Sequence, residues 1–426
     1  MIKNINSINE KKTVQSKENQ LTEHFFRNEY GKMVAVVAKY LGAEHVESAE
    51  DIVQDSLLVA VEYWQHHGIP ENPSGWLYTT AKNKTFNYLK HQKHKRKFEK
   101  ESDTDEAVHF NFSDEQIADE QLRMMFACCN PSISEEVQIT LILKILCGFS
   151  ISEISAAFFT NTDTINKRLV RGRKKLRSVD LSIVSEERIS KNCDVVLEAI
   201  YLLFNEGYLP NRKNQSIRTD LCLEAIRLTH ILASHPIITQ KVHCHAFLAL
   251  MYLNASRFEA RVNENEGTLE MEKVDRSLWN KTLIDKGLYH LEEAQQQGIV
   301  SNYLLMASIS ANHCIAPSFE ETNWKEILAL YDAWLTMEDT AIIRLNRSVA
   351  LSKVHGDDSA IAELKLLETR IDLKDNYLLH STLGELHRNA NHNEKAISHF
   401  ERAIKLADNE RDKTFLKKKL KGVVPL

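Results

Sequence analysis

The sequence has few residues that end helices. Its 426 residues include only 13 glycines and 7 prolines. Leucine, alanine, glutamate and lysine, which favour helices, dominate the later stretches. The composition therefore predicts an all-α protein, and its length predicts roughly two to four domains because one hydrophobic core does not serve so long a chain.

Long hydrophobic runs are also missing. The longest, Val137–Cys147, is interrupted by Gln138, Thr140 and Lys144, so none reaches the ~20 residues that cross a bilayer. The first 20 residues are polar and lack the apolar core of a secretion signal. We expect a cytoplasmic protein with a disordered N-terminal arm over residues 1–20.

The chain has no recognisable catalytic motif. There is no P-loop, no glycine-rich dinucleotide loop, no GxSxG and no metal-spaced histidine and cysteine set, so we expect neither an enzyme nor a bound cofactor or metal. His243-Cys244-His245 suggests a metal site, but alternate residues of a helix point to different faces, which favours a structural role. The seven cysteines are odd in number and lie in apolar patterns typical of reduced core residues: Cys128, Cys129, Cys147, Cys193, Cys222, Cys244 and Cys314.

Charge is segregated along the chain, although the net charge is only -5. Residues 90–100 are mainly basic, residues 101–120 contain eight acids and no lysine or arginine, and residues 164–179 contain seven basic residues and no acid. This order predicts two basic modules joined by a flexible acidic linker over residues 101–120, which suits a two-site grip on a phosphate backbone. Composition alone leaves a pair of solvated lysine faces equally open.

The second basic module has the pattern of a helix-turn-helix. An apolar helix ends at Gly148, Ser150 begins a short helix, and Asn161 and Thr162 form a turn before a helix over Thr164–Leu176. The second helix would enter a major groove, whereas the alternative is an ordinary helical hairpin with a charged exterior. The residues expected to face base edges are Asn166, Lys167, Val170 and Arg171, and those expected to face phosphates are Arg173, Lys174 and Arg177.

The first module combines an acidic helix with an aromatic, amide-rich one. Ala49–Trp64 predicts an amphipathic helix with acids at its start and an apolar stripe through Ile52, Val59 and Tyr63. Asn72–Asn83 then leads into Phe86, Asn87, Tyr88 and the basic run. Aromatic and amide side chains beside lysines suit the capture of unstacked single-stranded bases.

These stretches, in this order, resemble regions 2 and 4 of the extracytoplasmic-function (group IV) sigma factors. AEDIVQDSLLVAVEYW resembles region 2.2, NPSGWLYTTAKNKTFNYLKHQKHKR resembles regions 2.3 and 2.4, and ISEISAAFFTNTDTINKRLVRGRKKLR resembles region 4.2. The resemblance covers residues from about 21 to 178 and includes the absence of region 3. It implies a factor that brings core RNA polymerase to promoters, through the clamp helices of the largest subunit and the flap.

The resemblance also implies roles for individual residues. Region 2.2 would contact the polymerase clamp, regions 2.3 and 2.4 would melt and read the -10 element, with a flipped base held by the loop over residues 66–75, and region 4.2 would read the -35 element. The implied polymerase contacts are Glu50, Asp51, Gln54 and Asp55; the -10 contacts are Lys82, Asn83, Lys84, Asn87 and Lys90; and the -35 contacts are Thr164, Asn166, Lys167, Val170 and Arg171, with Arg173 and Lys174 on the backbone.

The C-terminal half predicts a helical array. Strong amphipathic patterns over Asp194–Tyr208, Thr219–Leu232 and Val242–Leu253 begin it. Near its end, one tetratricopeptide-like period of ~34 residues places small and apolar residues at the offsets that let paired helices approach and build a concave groove. Those positions are Leu383, Gly384, Ala396, Phe400 and Ala403, with a degenerate earlier copy at Val349, Ala350, Ala362 and Leu366.

FNEGY (Phe204–Tyr208) and VDRSLWN (Val274–Asn280) extend the resemblance to the sigma-factor subgroup with a fused C-terminal tetratricopeptide-like domain. Asn263–Gly267 departs from that subgroup's acidic-glycine pattern. Capping or loop packing is favoured over a pocket or an interdomain contact for Glu206, Asp275, Arg276 and Trp279.

The predicted organisation is therefore region 2 over residues 21–100, region 4 over residues 121–180 and the tetratricopeptide-like domain over residues 186–426. The predicted function is promoter-specific initiation, regulated by the C-terminal domain, which would bind a protein or peptide. Two alternatives stay open: a helix-turn-helix regulator that binds duplex DNA without polymerase, and a repeat scaffold whose basic patches bind acidic proteins.

Overall fold

A computed structural model describes residues 24–97, 112–181, 186–208, 218–263, 267–268, 272, 274–368, 375–407 and 410–423. Apart from two strands of two residues each, the regular elements of these residues are helices, which confirms the all-α prediction. The chain forms two compact units. Among the described residues, those up to Cys244 belong to unit 1 and those from His245 onward belong to unit 2.

Unit 1 contains the segments predicted to bind polymerase and DNA. A 3-10 turn, Ala43–His45, separates its first two helices. Its helices are α1 (residues 24–41), α2 (Val46–His67), α3 (Pro73–Lys97), α4 (Asp114–Cys128), α5 (Glu135–Ile145), α6 (Ile151–Ala157), α7 (Thr162–Leu176), α8 (Glu186–Tyr208) and α9 (Thr219–Ser234).

Polar caps explain why the helices of the second basic module start where they do. The Ser150 hydroxyl accepts a hydrogen bond from the Glu153 N–H, and the Glu153 carboxylate accepts one from the Ser150 N–H, which makes a capping box at the start of α6. The Asn161 side chain caps α7 by accepting a hydrogen bond from the Thr164 N–H. Gly148, with φ +64°, ends the preceding segment in a conformation that favours glycine. The two helices predicted here from the sequence are present, but α7 begins at Thr162, which was predicted to lie in the turn.

The helix α5 is the centre of unit 1. Eight of its eleven residues are buried, and it packs against α4, α6, α7 and α8. The buried residues of α7 include Ile165, Leu169 and Leu176, as predicted. Such all-round burial explains the near-continuous apolar sequence of this helix.

Unit 2 is a succession of helices, each packed mainly on the next. The helix α10 (Lys241–Ala255) contains the boundary between the two units. After it come α11 (Phe258–Arg261), the antiparallel strands β1 (Val262–Asn263) and β2 (Gly267–Thr268), a 3-10 turn (Arg276–Leu278), α12 (Lys281–Gln295), α13 (Asn302–Ile315), α14 (Trp324–Met337), α15 (Ala341–His355), α16 (Asp357–Glu368), α17 (Tyr377–Asn389), α18 (Asn393–Leu406) and α19 (Glu410–Lys421).

The last hairpin places the predicted small and apolar residues in its core. A Cβ on Gly384 of α17 would lie 2.9 Å from the ring of Phe400 in α18, so glycine allows the two helices to approach closely. The predicted earlier copy is wrong in register, because Val349, Ala362 and Leu366 are exposed. The buried residues of α15 and α16 recur 36 residues later in α17 and α18: Ile343, Ser348, Ala350, Ala360, Leu364 and Leu367 match Leu379, Gly384, Leu386, Ala396, Phe400 and Ala403.

Other boundaries also differ from the predictions. The acidic linker was expected to reach residue 120, but Asp114–Glu120 are the first turns of α4, where acids favour the helix N-terminus. The expected base-holding loop, residues 66–75, is shorter, because α2 ends at His67 and α3 begins at Pro73. The predicted arm over residues 1–20 and the linker residues 101–111 lie outside the described residues.

The cysteine prediction is confirmed. All seven cysteines are buried and none forms a disulfide. Within the described part of the chain, no helix combines the length and the apolar character needed to cross a membrane.

Candidate polymerase and nucleic-acid interfaces

The helix α2 presents an exposed face that mixes acids with apolar side chains. Asp51, Gln54 and Asp55 are exposed on its first turns, and Leu58, 61% exposed, follows one turn later. The predicted apolar stripe is only partly buried, because Ile52 is buried whereas Val59 and Tyr63 are exposed. Exposed apolar side chains on a helix face are characteristic of a surface that binds another protein.

Glu50, which was also predicted to contact polymerase, does not lie on this exposed face. It is buried, accepts a hydrogen bond from the Tyr30 hydroxyl (3.1 Å) and forms an ion pair with Arg173 of α7 (2.5 Å). Burial, with the charge of Glu50 second, raises the pKa of Tyr30, so this phenol stays protonated and donates. Glu50 and Arg173, predicted to contact polymerase and DNA respectively, are thus bound to each other in this structure.

The helix α3 carries the residues predicted to read the -10 element on one face. Asn83, Asn87 and Lys90 are exposed and spaced by four and three residues, which aligns them along the helix. Lys82 lies partly buried, with its Nζ 5.8 Å from the centroid of the Phe86 ring. Lys84 contacts α2, since its Nζ lies 3.6 Å from the Asp55 carboxylate. The structure brings two amides and one lysine together, and holds the other two lysines against the protein.

An aromatic cluster supports the short connection between α2 and α3. The Tyr63 ring stacks on Trp76 with centroids 5.5 Å apart and on His67 at 4.1 Å. Trp64 packs edge-on against Trp76 at 5.7 Å. The exposed Tyr63 therefore has a fixed orientation next to the connection over residues 68–72.

The helix α7 exposes most of the residues predicted to read the -35 element. Asn166, Lys167, Val170, Arg171 and Lys174 are exposed on the side away from Ile165 and Leu169, and Val170 is 71% exposed. An exposed valine among basic residues fits contact with an apolar group such as a thymine methyl. Thr164 is partly buried and its hydroxyl donates to the capping Asn161 side chain (2.9 Å).

One carboxylate, Glu153, joins three distant parts of unit 1, which the sequence did not indicate. Its Oε2 caps α6, and its Oε1 accepts hydrogen bonds from Arg27 of α1 (3.2 Å) and from Arg218, next to α9 (2.8 Å). Burial raises the pKa of Glu153, but Arg27, the Ser150 N–H and Arg218 outweigh it and lower the pKa to about 2.

The three residues of the His243-Cys244-His245 motif contact other side chains. His243 pairs with Asp194 (3.0 Å), Cys244 contacts Cys193, and the Nδ1 of His245 lies 3.0 Å from that of His290. Within the described residues, no group of three or more histidines, cysteines or acids is arranged to hold a metal ion.

The VDRSLWN segment packs within unit 2, as the capping interpretation predicted. Asp275 accepts a hydrogen bond from the Ser277 N–H (2.9 Å). Arg276 donates to the carbonyls of His313 (2.8 Å) and Ala316 (2.6 Å) and lies 4.8 Å from the Trp279 ring. Glu206, of the FNEGY segment, is buried in unit 1.

Unit 2 contains a cavity of about 700 Å³ lined by α13–α15, α17 and α19. Aromatic residues line one part, including Phe319, Trp324 and Tyr331, and amides such as Asn346 and Asn389 line another. Its charged residues are paired: Glu272 with Lys353, and Glu385 with both Arg388 and Lys419. A cavity with stacking rings and paired charges can take an extended segment with apolar and amide groups.

Four histidines of unit 2 lie close together, and the sequence analysis did not predict this cluster. The Nδ1 atoms of His380 and His399 are 3.1 Å apart, and those of His387 and His392 are 3.4 Å apart. The rings of His387 and His399 stack with centroids 5.4 Å apart, which connects the two pairs. Equal spacing of seven residues, from His380 to His387 and from His392 to His399, was the available signal.

Comparison with known proteins bears on both units. Residues 25–95 match the model of sigma-70 region 2. This segment is therefore similar to sigma-70 region 2. It covers α1–α3 and carries both the acidic face of α2 and the amide stripe of α3, which supports a sigma-factor role in transcription initiation, with binding to core RNA polymerase and promoter DNA.

Residues 192–295 match a family of unknown function, DUF6596, which spans α8–α12. An uncharacterized protein of Rhizobium meliloti (strain 1021) is 28% identical over 384 residues, covering 88% of this chain and 90% of that protein. The likeness therefore extends far beyond region 2. No solved structure matches the chain significantly.

Proposed function

We propose that this protein is an extracytoplasmic-function sigma factor whose C-terminal half is a regulatory, tetratricopeptide-like domain. The observation that carries the proposal is the sigma-70 region 2 of residues 25–95 with its two exposed faces, one acidic and apolar on α2 and one amide-rich on α3. A regulator that binds only duplex DNA needs neither face. The helix pair α6–α7, with its basic exposed side, supports assignment of residues 121–180 as region 4.

In this proposal α2 binds the clamp helices of the largest polymerase subunit. Asp51, Gln54 and Asp55 supply polar contacts, and Leu58 supplies apolar area in the same face. Glu50 instead holds Arg173 and supports the face from behind.

The two DNA contacts differ in kind. Asn83 and Asn87 read unstacked bases of the -10 element, with Lys90 on the backbone, while Lys82 and Lys84 reach phosphates from their positions beside Phe86 and Asp55. On α7, Asn166, Lys167, Val170 and Arg171 read the -35 duplex, Thr164 supports the first turn, and Lys174 contacts phosphate.

The cavity of unit 2 is the proposed site of regulation. Its stacking rings and amides suit a peptide segment in extended form, whose backbone Asn346 and Asn389 can hydrogen-bond.

A run-off transcription assay with core RNA polymerase tests the proposal. We expect the wild-type chain to initiate at a cognate promoter. Asp51→Ala should weaken polymerase binding about tenfold, because an interface anchor is worth ~1–2 kcal/mol. Asn83→Ala should leave polymerase binding intact and reduce promoter opening, which permanganate reactivity of unpaired thymines measures.

Glu115→Ala, which removes an exposed acid of α4, is the matched control and should behave as wild type. Absence of any association between the wild-type chain and core polymerase at low salt would contradict the proposal. Normal activity of both Asp51→Ala and Asn83→Ala would contradict the residue roles.

A further inference from the structure

The basic helix α7 and the acidic helix α2 are joined by ion pairs. Arg173 lies between two glutamates of α2, with its Nη2 2.5 Å from Glu50 and its Nη1 3.8 Å from Glu47. Arg177 adds a contact of 2.6 Å to Glu47. Because Glu50 is only 3% exposed, its pair with Arg173 is shielded from solvent and salt, whereas the pair of Glu47 with Arg177 is more exposed.

A backbone contact joins the same two modules at a second place. A Cβ on Gly31 of α1 would lie 1.8 Å from the carbonyl oxygen of Leu146, just after α5. No side chain fits in that space, so α1 can touch this part of the chain only because residue 31 is glycine. Region 2 therefore contacts the segment assigned to region 4 through main chain as well as through charges.

The Glu153 carboxylate makes a third junction and brings in the C-terminal half. It binds Arg27 of region 2 and Arg218, which immediately precedes α9. From α9, Arg227 donates to the Gln121 side chain of α4 (2.8 Å). The start of the C-terminal half thus fastens onto both sides of the contact between the two modules.

These contacts are incompatible with simultaneous reading of two separate promoter elements. Elements centred near -35 and -10 lie about 25 base pairs apart, or roughly 85 Å of duplex at ~3.4 Å per base pair. In the structure, Lys84 of α3 contacts Asp55 of α2, and Arg173 of α7 contacts Glu50 only about 7.5 Å further along the same helix axis. The two reading helices therefore lie far too close together.

We propose that this structure is a closed form in which three junctions latch region 2 to region 4: Arg173 and Arg177 with Glu47 and Glu50, Gly31 with Leu146, and Glu153 with Arg27 and Arg218. Promoter engagement requires this latch to open. The inference rests on the proposed function only for its promoter step, since the closed form itself is a property of the chain alone.

Pulsed electron paramagnetic resonance between two nitroxides in the full chain tests the latch. Labels at Gln65→Cys in α2 and Lys175→Cys in α7 attach selectively, because the seven native cysteines are buried. Gln65 lies roughly 27 Å along α2 from Glu47 at 1.5 Å per residue, which brings the pair into the measurable range. The free protein should give one short distance, and the complex with core polymerase and promoter DNA a much longer one.

Charge reversal provides the sharpest variants. Glu47→Arg should raise the open fraction about tenfold, within the usual range for coupled equilibria. Adding Arg177→Glu to it should restore the short distance. The matched control reverses the exposed pair of Glu187 and Lys191 on α8, whose atoms are 2.6 Å apart, and should leave the distance unchanged.

Gly31→Ala opens the latch by a different route. Alanine favours the helix but its Cβ collides with the Leu146 carbonyl, so a long distance should appear. Gly172→Ala is the control, because the atoms nearest to its Cβ would belong to the Leu141 side chain, inside the segment assigned to region 4. If Gly31→Ala does not fold, the charge-reversal variants still test whether the latch exists.

A long distance in the free wild-type chain, or no response to Glu47→Arg, would overturn the latch. A short distance that persists in the polymerase–promoter complex would overturn the need for opening. Failure of core polymerase to bind would contradict the proposed function alone, since the free-protein distances do not depend on it.

Discussion

Unit 1 and unit 2 are both helical, yet different contacts hold them together. In unit 1, ion pairs join residues more than 120 positions apart, such as Arg173 with Glu50 and Arg27 with Glu153. In the last helices of unit 2, they join residues that are much closer in sequence, such as Arg347 with Glu363, 16 positions apart. Unit 1 should therefore unfold as a whole, whereas a stack of neighbouring helices can lose its end first.

The largest effect is expected from Phe400→Ala in unit 2. The side chain is fully buried against Gly384, so its loss should lower the free energy of unfolding by about 3–5 kcal/mol. Hydrogen exchange should show lost protection in α17–α19 and unchanged protection in unit 1. Phe415→Ala, at a 39% exposed position of α19, is the control with a much smaller effect. Equal loss of protection across both units would refute a stack that unfolds from its end.

A smaller but more widespread effect is expected from Glu153→Gln in unit 1. The amide keeps the size of the side chain but removes the charge that Arg27 and Arg218 share, at a cost of about 1–3 kcal/mol. Protection should fall together in α1, α6 and α9, although these helices are distant in sequence. Glu115→Gln, the same change at an exposed position in the first turn of α4, serves for comparison. Loss confined to α6 would show that unit 1 is not a single cooperative unit.

Acid should affect the stability of the two units differently. Burial, with His399 and Lys365 next, lowers the pKa of His387 to about 4, and burial with His380 and Lys365 does the same for His399, which also faces Arg402. Such bases take up protons more readily when unfolded, so their contribution is full above pH 6.5 and falls as the pH drops towards 4. Glu153, with its pKa lowered to about 2, contributes fully above pH 4.5 and loses its contribution only below that.

Between pH 6.5 and 4.5, the hairpin α17–α18 should therefore weaken while the junction at Glu153 persists. Hydrogen exchange at pH 7 and pH 5, corrected for intrinsic rates, measures this difference directly. Replacing the exposed His66 by glutamine should leave the pH response unchanged. Retained protection of α17 and α18 at pH 5 would contradict the prediction.

Local features of the fold and of the candidate sites could be predicted because they depend on short-range physics. The caps at Ser150 and Asn161, the buried residues of α7 and the close helix approach at Gly384 follow from spacing within one or two turns. The predicted register of the earlier repeat was wrong. The sequence pattern of a single repeat fits equally well when its copy is shifted by two residues, and only the burial of the side chains shows which of them face inward. The histidine cluster was missed because seven-residue spacing is also that of an ordinary helix face.

The sequence by itself determined that the chain is helical, that its basic segments flank an acidic one, and that Asn83 and Asn87 share a face with Lys90. Only the tertiary structure decided that Glu50 and Arg173, predicted for two different partners, bind each other, and that Glu153 joins α1, α6 and the start of α9. The reason is physical. Helix formation and face alignment depend on neighbours a few residues away, whereas the partner of a charged side chain depends on which distant segment packs against it.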